Sequence, residues 1–149
     1  MSLSGQYDPE NIFAKILRGD MPCVKVYEDD DILSFMDVFP QSKGHVLVIP
    51  KSPARNLLDA DAAILTPLIV RTQSIALAVE KALQPDGIVI TQFNGAPAGQ
   101  TVFHLHFHII PRYEGGVDKP HASGGMADMA DMADMAELQA LAEMIKTKL

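Results

Sequence analysis

Apolar and polar positions alternate with two different periods along this chain, and the switches between them divide it into elements. "YDPENIFAKILRGD" reads as a short helix, with Asp8 as N-cap, Pro9 at the first helical position and Gly19 at its close. Period-two patterning follows, and "VKVYEDDDILSFMD" predicts strands over 24–27 and 32–36 around an acidic turn at 28–31. The nearly continuous apolar run 45–49 suits a strand covered on both sides, which Pro50 ends. Between Asn56 and Leu83 the period lengthens. Leu65, Leu68, Ile69, Thr72, Ala76, Val79 and Leu83 recur at helical steps, which predicts a long helix that Thr66 and Pro67 restart after a short first turn. "QPDG" is then a turn, "IVITQF" a strand, "NGAPAGQ" a loop and "TVFHLHFHIIPR" a last strand. This order predicts an α+β domain with helices laid on a largely antiparallel sheet.

The last strand carries chemistry as well as structure. The chain has 5 histidines, and His104, His106 and His108 occupy alternate positions of "HLHFHIIPR", so period two puts them on one face. As packing residues, three adjacent neutral rings would each need partners for both nitrogens, and protonated rings would repel one another. As zinc ligands they are strained, because three alternate positions span ~13 Å on a strand rising ~3.3 Å per residue. As phosphoryl-transfer groups they fit. A neutral imidazole whose second nitrogen is held by an acceptor is a nucleophile near neutral pH, His106 is the natural one, and His104 and His108 flank it to orient or protonate.

Length and composition narrow the setting. One core is expected from 149 residues that are 48% hydrophobic. No continuous apolar run suggests a membrane span and the N-terminus lacks the order of a secretion signal, so the expectation is a cytoplasmic chain without a membrane partner. Cys23 is the single cysteine, which rules out a disulfide or a cysteine cluster within one chain. With 12 basic against 19 acidic residues, the net charge of −7 argues against nucleic acid as a partner. The Ala-Asp-Met repeat after Gly125 favours helix, but its three-residue period carries the methionines around the helix rather than along one groove. It reads as a low-complexity extension of a C-terminal helix that begins near Met135.

"NGAPAGQTVFHLHFHIIPR" resembles the motif of the histidine triad family, and "NIFAKILRGDMPCVKVYEDDDILSFMDVFPQSKGHVLVIPK" is similar to the first half of that domain in its nucleoside phosphoramidate hydrolase branch. The resemblance covers most of 11–113, leaving 1–10 as an N-terminal extension and 114–149 as a linker and helical tail. It implies a five-stranded antiparallel sheet per subunit with one long and one short helix, and a homodimer formed across the long helix and a strand. It implies a purine nucleotide substrate, an adenosine phosphoramidate or acyl-adenylate, attacked at the α-phosphate by His106 to give a nucleotidyl-histidine that water resolves. His104 would orient His106, directly or through the backbone, while His108, Gln100 and Thr101 would contact the phosphate and leaving-group side. Asp37 matches a ribose-binding aspartate, Asn94 a phosphate-side or loop-shaping amide, and Phe13, Ile16, Phe35 and Val38 the lining of the base pocket.

The chain also departs from the family. Many bacterial members carry a Cys-x-x-Cys and a further histidine that include zinc ligands, whereas Asn11, Ala14 and Pro53 stand at the matching positions, so neither metal nor cofactor is expected. Without a histidine at 53, His106 would rely on the remaining pair and the backbone. His45 is taken as structural. Two alternatives stay open: dinucleoside polyphosphate hydrolysis, and a nucleotide- or partner-binding module with vestigial catalysis.

Overall fold

The computed structural model describes residues 2–116 and 132–149. The described elements are α1 (Ile12–Leu17), β1 (Lys25–Glu28), β2 (Ile32–Met36), β3 (Val46–Pro50), α2 (Ala62–Leu83), β4 (Gly87–Thr91), β5 (Phe107–Arg112) and α3 (Met135–Lys146). The strands form one antiparallel sheet in the order β1-β2-β3-β5-β4, the α+β architecture expected. Most of the Ala-Asp-Met repeat lies outside the described residues, while α3 starts at Met135 under the Asp134 cap.

The pleat gives the sheet two faces. Ile32 and Met36 of β2, Val46 and Val48 of β3 and Ile109 of β5 pack in one cluster with Leu68, Ile75 and Val79 of α2 and Leu138, Leu141 and Ile145 of α3. The intervening residues Leu33, Phe35, Leu47 and Ile49 form a second, smaller cluster with Phe13 and Ile16 of α1. His108 is the cross-strand partner of Leu47, so it belongs to the α1 face.

Three boundaries differ from the sequence reading. Helix α1 begins at Ile12, capped by Asn11, whose Oδ1 accepts from Ala14 N–H at 2.9 Å; Asp8 and Pro9 form a preceding turn in which the Asp8 carboxylate accepts from Glu10 N–H. Helix α2 begins at Ala62 because Asp61 accepts from Ile64 N–H, which leaves Pro67 inside the helix, where the carbonyl it cannot serve belongs to exposed Ala63. The histidine strand enters the ladder only at Phe107, since the Leu105 N–H is spent on the Ala54 carbonyl at 2.8 Å.

Helix α2 also corrects the reading of its outer side. Ile69, whose recurrence at helical steps with Leu65, Leu68 and Thr72 suggests a core-facing position, is 51% exposed, and Val70 and Leu77 are exposed beside it. By length and composition alone this helix could cross a membrane, although Leu68, Ile75 and Val79 on its inner side are fully buried against the sheet.

Candidate active site

The α1 face ends in a cluster of buried polar groups. His104, His106 and His108 sit at the approach to and start of β5, and His45 immediately precedes β3, all four at most 5% exposed. Asp37 follows β2, and its N–H donates to the His45 carbonyl at 3.0 Å, closing the β2–β3 connection and bringing the two side chains together. Buried neutral imidazoles need a partner at each nitrogen, and those partners determine where each proton lies.

His104 Nε2 is 2.8 Å from the Pro50 carbonyl, which can only accept, so the ring carries its proton there; Nδ1 therefore accepts from the Tyr7 hydroxyl at 2.6 Å. Burial holds His104 below the usual imidazole range, opposed by the Pro50 carbonyl, which favours the neutral ring just assigned. His106 Nδ1 lies 2.7 Å from the His104 carbonyl and must donate to it. The His106 lone pair is thus on Nε2. Phe13 meets this ring edge-on with centroids 4.9 Å apart, and His108 lies at the same centroid distance.

The other corner is a chain of three groups. Gln41 N–H donates to His45 Nδ1 at 3.0 Å, so neutral His45 keeps its proton on Nε2. That atom is 3.0 Å from His108 Nδ1 and 3.4 Å from Asp37 Oδ2. Donation along the shorter contact leaves the His108 proton on Nε2, making it a donor. Burial pushes the Asp37 carboxyl up to about 6, against the pull of the Phe39 N–H that it accepts at 2.8 Å.

Neither metal arrangement suits these residues. At the positions of the family's zinc set, Asn11 spends its carbonyl oxygen on the α1 cap and its amide on the Asp8 carbonyl, and Ala14 and Pro53 offer no donor atom. Among the described residues, Asp37, His45 and His108 bring ligand atoms within 4.8 Å of one another, but the Gln41 N–H keeps the proton of His45 on the nitrogen an ion would need.

The loop before the histidines is internally braced. Gln100, 2% exposed, accepts from Gly95 N–H through Oε1 and donates through Nε2 to the carbonyls of Arg55 and Val102. Its side chain therefore shapes the loop, as does Asn94, which accepts from Leu57 N–H and exchanges hydrogen bonds with Gln92. Thr101 is half-buried between this loop and the histidines. Phe13, Phe35 and Ile16 lie together under α1, with Phe13 against His106, whereas Val38 packs at the edge of the larger core on the other face.

Sequence reasoning misses two residues of the cluster. His45 carries a signal in its parity: a histidine one step outside an apolar strand shares a face with Leu47 and Ile49, and so with His108 across the ladder. Tyr7 carries no such signal, because its contact with His104 spans 97 positions.

The chain is similar to known proteins in sequence and in fold. The sequence model of the HIT domain matches residues 18–115. "Protein hit" of Bacillus subtilis is 42% identical over 74% of this chain and 80% of its own length. The adenosine 5'-monophosphoramidase hnt1 of Schizosaccharomyces pombe is 45% identical over 68% of this chain and 73% of its own. Among solved structures, a Hit-like protein from Bartonella henselae with an unknown ligand superposes with a TM-score of 0.85 at 49% identity, covering 97% of this chain and 100% of the other.

Proposed function

The chain belongs to the HIT domain family, and from that premise we propose that it hydrolyses nucleotide derivatives at the α-phosphate, with adenosine phosphoramidates as the substrate class. The observation that carries the reading is the His106 tautomer. Its Nδ1 proton is tied to the His104 carbonyl at 2.7 Å, so the unshared pair on Nε2 is the nucleophile and needs no prior deprotonation. The S. pombe relative, named a monophosphoramidase, supports the substrate class.

The reaction is a double displacement. His106 Nε2 attacks the α-phosphorus as the bond to the leaving amine breaks, and the amine departs with a proton that His108 Nε2–H is placed to supply. Behind it, His45 Nε2 lies 3.0 Å from His108 Nδ1 and Asp37 Oδ2 lies 3.4 Å from His45 Nε2, so the pair holds the His108 ring through the loss and return of that proton. Water then attacks the nucleotidyl-histidine, giving a proton back to His108 Nε2 as the phosphorus–nitrogen bond breaks, which releases nucleoside monophosphate and restores His106 and His108. Asp37 is the carboxylate we assign to the ribose hydroxyls, with Phe13, Ile16 and Phe35 against the base.

The deciding experiment is turnover of a fluorogenic adenosine phosphoramidate under single-turnover conditions, with intact-mass detection of an adenylyl adduct. Activity that disappears in His106→Ala, with an adduct on His106 in the wild type, supports the reading. AMP binding without turnover or adduct sinks it and favours the binding-module alternative, while activity confined to dinucleoside polyphosphates moves the chain to the other hydrolase class.

A second copy of the chain is the partner we assign to the outer side of α2 and the adjoining edge strand β4. Ile69, Val70, Leu77, Val89 and Ile90 are all exposed there, and among the described residues β4 has a ladder neighbour on one side only. Pairing β4 with its counterpart would extend the sheet to ten strands. Light scattering should give a dimer mass that Ile90→Glu halves; a monomeric wild type overturns the assignment.

A further inference from the structure

We infer that Tyr7, in the segment preceding α1, is a positioning residue for the His106 nucleophile, acting through the ring and backbone of His104. The inference rests on His106 being the nucleophile, as proposed above. His104 does not touch His106 with its side chain; it serves it with its carbonyl, and the orientation of that carbonyl sets the direction of the His106 ring.

The peptide unit between His104 and Leu105 is held at three points. Its N–H donates to the Ala54 carbonyl at 2.8 Å, its carbonyl accepts from His106 Nδ1–H, and the His104 ring anchors one end of it. That ring is itself clamped between two partners of opposite kind. Pro50 can only accept, so the neutral ring presents a lone pair at Nδ1, and the hydroxyl that meets it is Tyr7's at 2.6 Å, with the two rings edge-on at 5.7 Å. Burial keeps the Tyr7 phenol protonated, raising it above its ordinary range, so it remains a donor.

The segment carrying Tyr7 is laced to the same part of the molecule. The Ser2 carbonyl accepts from Arg55 Nε at 3.1 Å and the Leu3 carbonyl from Asn56 Nδ2 at 2.8 Å. The two partners directly follow Ala54, which holds Leu105, in the chain, and the Arg55 carbonyl accepts from Gln100. Gly95, at φ +88°, opens the loop against this segment: a Cβ there would stand 3.2 Å from Ser2 Oγ and 3.3 Å from Leu3. The chain's first residues thus close over the back of the histidine loop, and Tyr7 is the point at which they touch a triad histidine.

Tyr7→Phe removes one oxygen atom and leaves the ring in place. Without the donor, His104 Nδ1 is a buried acceptor with its partner gone, the ring can exchange tautomers by giving up Pro50, and the carbonyl that aims His106 loosens. The expected result is a kcat lowered about 10-fold with KM changed less than about twofold, the pattern of an interaction that counts in the transition state and not in ground-state binding.

Nitrogen-15 NMR of the histidine rings supplies a readout that activity does not share. In the wild type His104 should be the Nε2–H tautomer and His106 the Nδ1–H tautomer, and Tyr7→Phe should convert both to mixtures. Unchanged tautomers with unchanged kcat in Tyr7→Phe overturn the inference, as does a wild-type His104 protonated on Nδ1. A variant that folds poorly leaves the wild-type spectrum as the decisive test. Were the wild type to turn over no phosphoramidate, the catalytic reading would fail while the tautomers still decided whether Tyr7 sets the His104 and His106 rings.

Discussion

The two faces of the sheet are built from the same strands and do different work. Toward α2 and α3, the residues Ile32, Met36, Val46, Val48 and Ile109 pack in the larger apolar cluster and are almost wholly excluded from solvent, with buried Ser34 beside Val48 on the same face. Toward α1, the alternate positions start apolar with Leu33, Phe35, Leu47 and Ile49 and turn polar where the strands end, at Asp37, His45, His106 and His108. The helix covering this face has 6 residues against the 22 of α2. One face can therefore hold the fold together while the other carries the polar cluster, and a one-residue register slip would exchange them.

The largest test of this division pairs a change on each face. His106→Ala should lower turnover by roughly 10⁶-fold, the scale seen when a nucleophile acting as part of a catalytic unit is removed, with little change in the denaturation midpoint. Ile75→Ala, at a fully buried position of α2, should do the reverse. Its cost should be about 2–5 kcal/mol of stability, while kcat per folded molecule stays near wild type. Urea denaturation and active-site-normalised kinetics on both variants check the pair; a large kcat loss in Ile75→Ala would mean that the faces are not separable.

Part of this division is legible in the amino-acid sequence. Period two alone groups His104, His106 and His108, and the resemblance assigns His106 the attack. Neither says that His104 contributes a carbonyl, because that depends on Leu105 leaving the ladder for Ala54, a contact 51 positions away in sequence. Gln100 reads from the resemblance as facing substrate, yet its amide is engaged with three backbone groups of its own loop and of Arg55. The pattern places the start of α1 a turn too early because Asp8-Pro9 has the chemistry of a helix start, and Asn11, an equally good cap, lies three residues on. Local patterns carry the elements, whereas the two partners that set the His104 tautomer, Tyr7 and Pro50, are 97 and 54 positions away and leave no local trace.

Asp37 sharpens the comparison through pH. Burial raises its carboxyl to about 6 from an ordinary value of 3.8. Between these values the folded protein keeps a proton that the unfolded chain has released, so this group's contribution to stability falls as pH rises through the window and is flat above it. A difference of that size corresponds to about 2–3 kcal/mol. Wild type should therefore lose about that much stability relative to Asp37→Asn between roughly pH 4 and pH 7, and the variant should bind AMP more weakly if the carboxylate holds the ribose. Denaturation of both proteins at the two pH values is the measurement, and a stability difference that does not move with pH would show that Asp37 is not held away from water.

The smallest effect probes how the functional face is roofed. Asn11 caps α1 through Ala14 N–H, and α1 carries Phe13, which meets His106 edge-on at 4.9 Å. Asn11→Ala should cost about 1 kcal/mol, the usual value of an N-cap, as a modest shift in midpoint. Because so short a helix has little cooperativity of its own, fraying at its start should reach Phe13 and be felt as a rise in KM for nucleotide larger than any fall in kcat. An Asn11→Asp variant retains a capping oxygen and should recover both, which distinguishes loss of the cap from loss of the amide's other hydrogen bonds, to the Asp8 carbonyl and the Tyr7 hydroxyl. If Asn11→Ala leaves KM unchanged while lowering stability, Phe13 is positioned by the apolar cluster of Leu33, Phe35 and Leu47 rather than by its helix, and the functional face owes its order to the sheet beneath it.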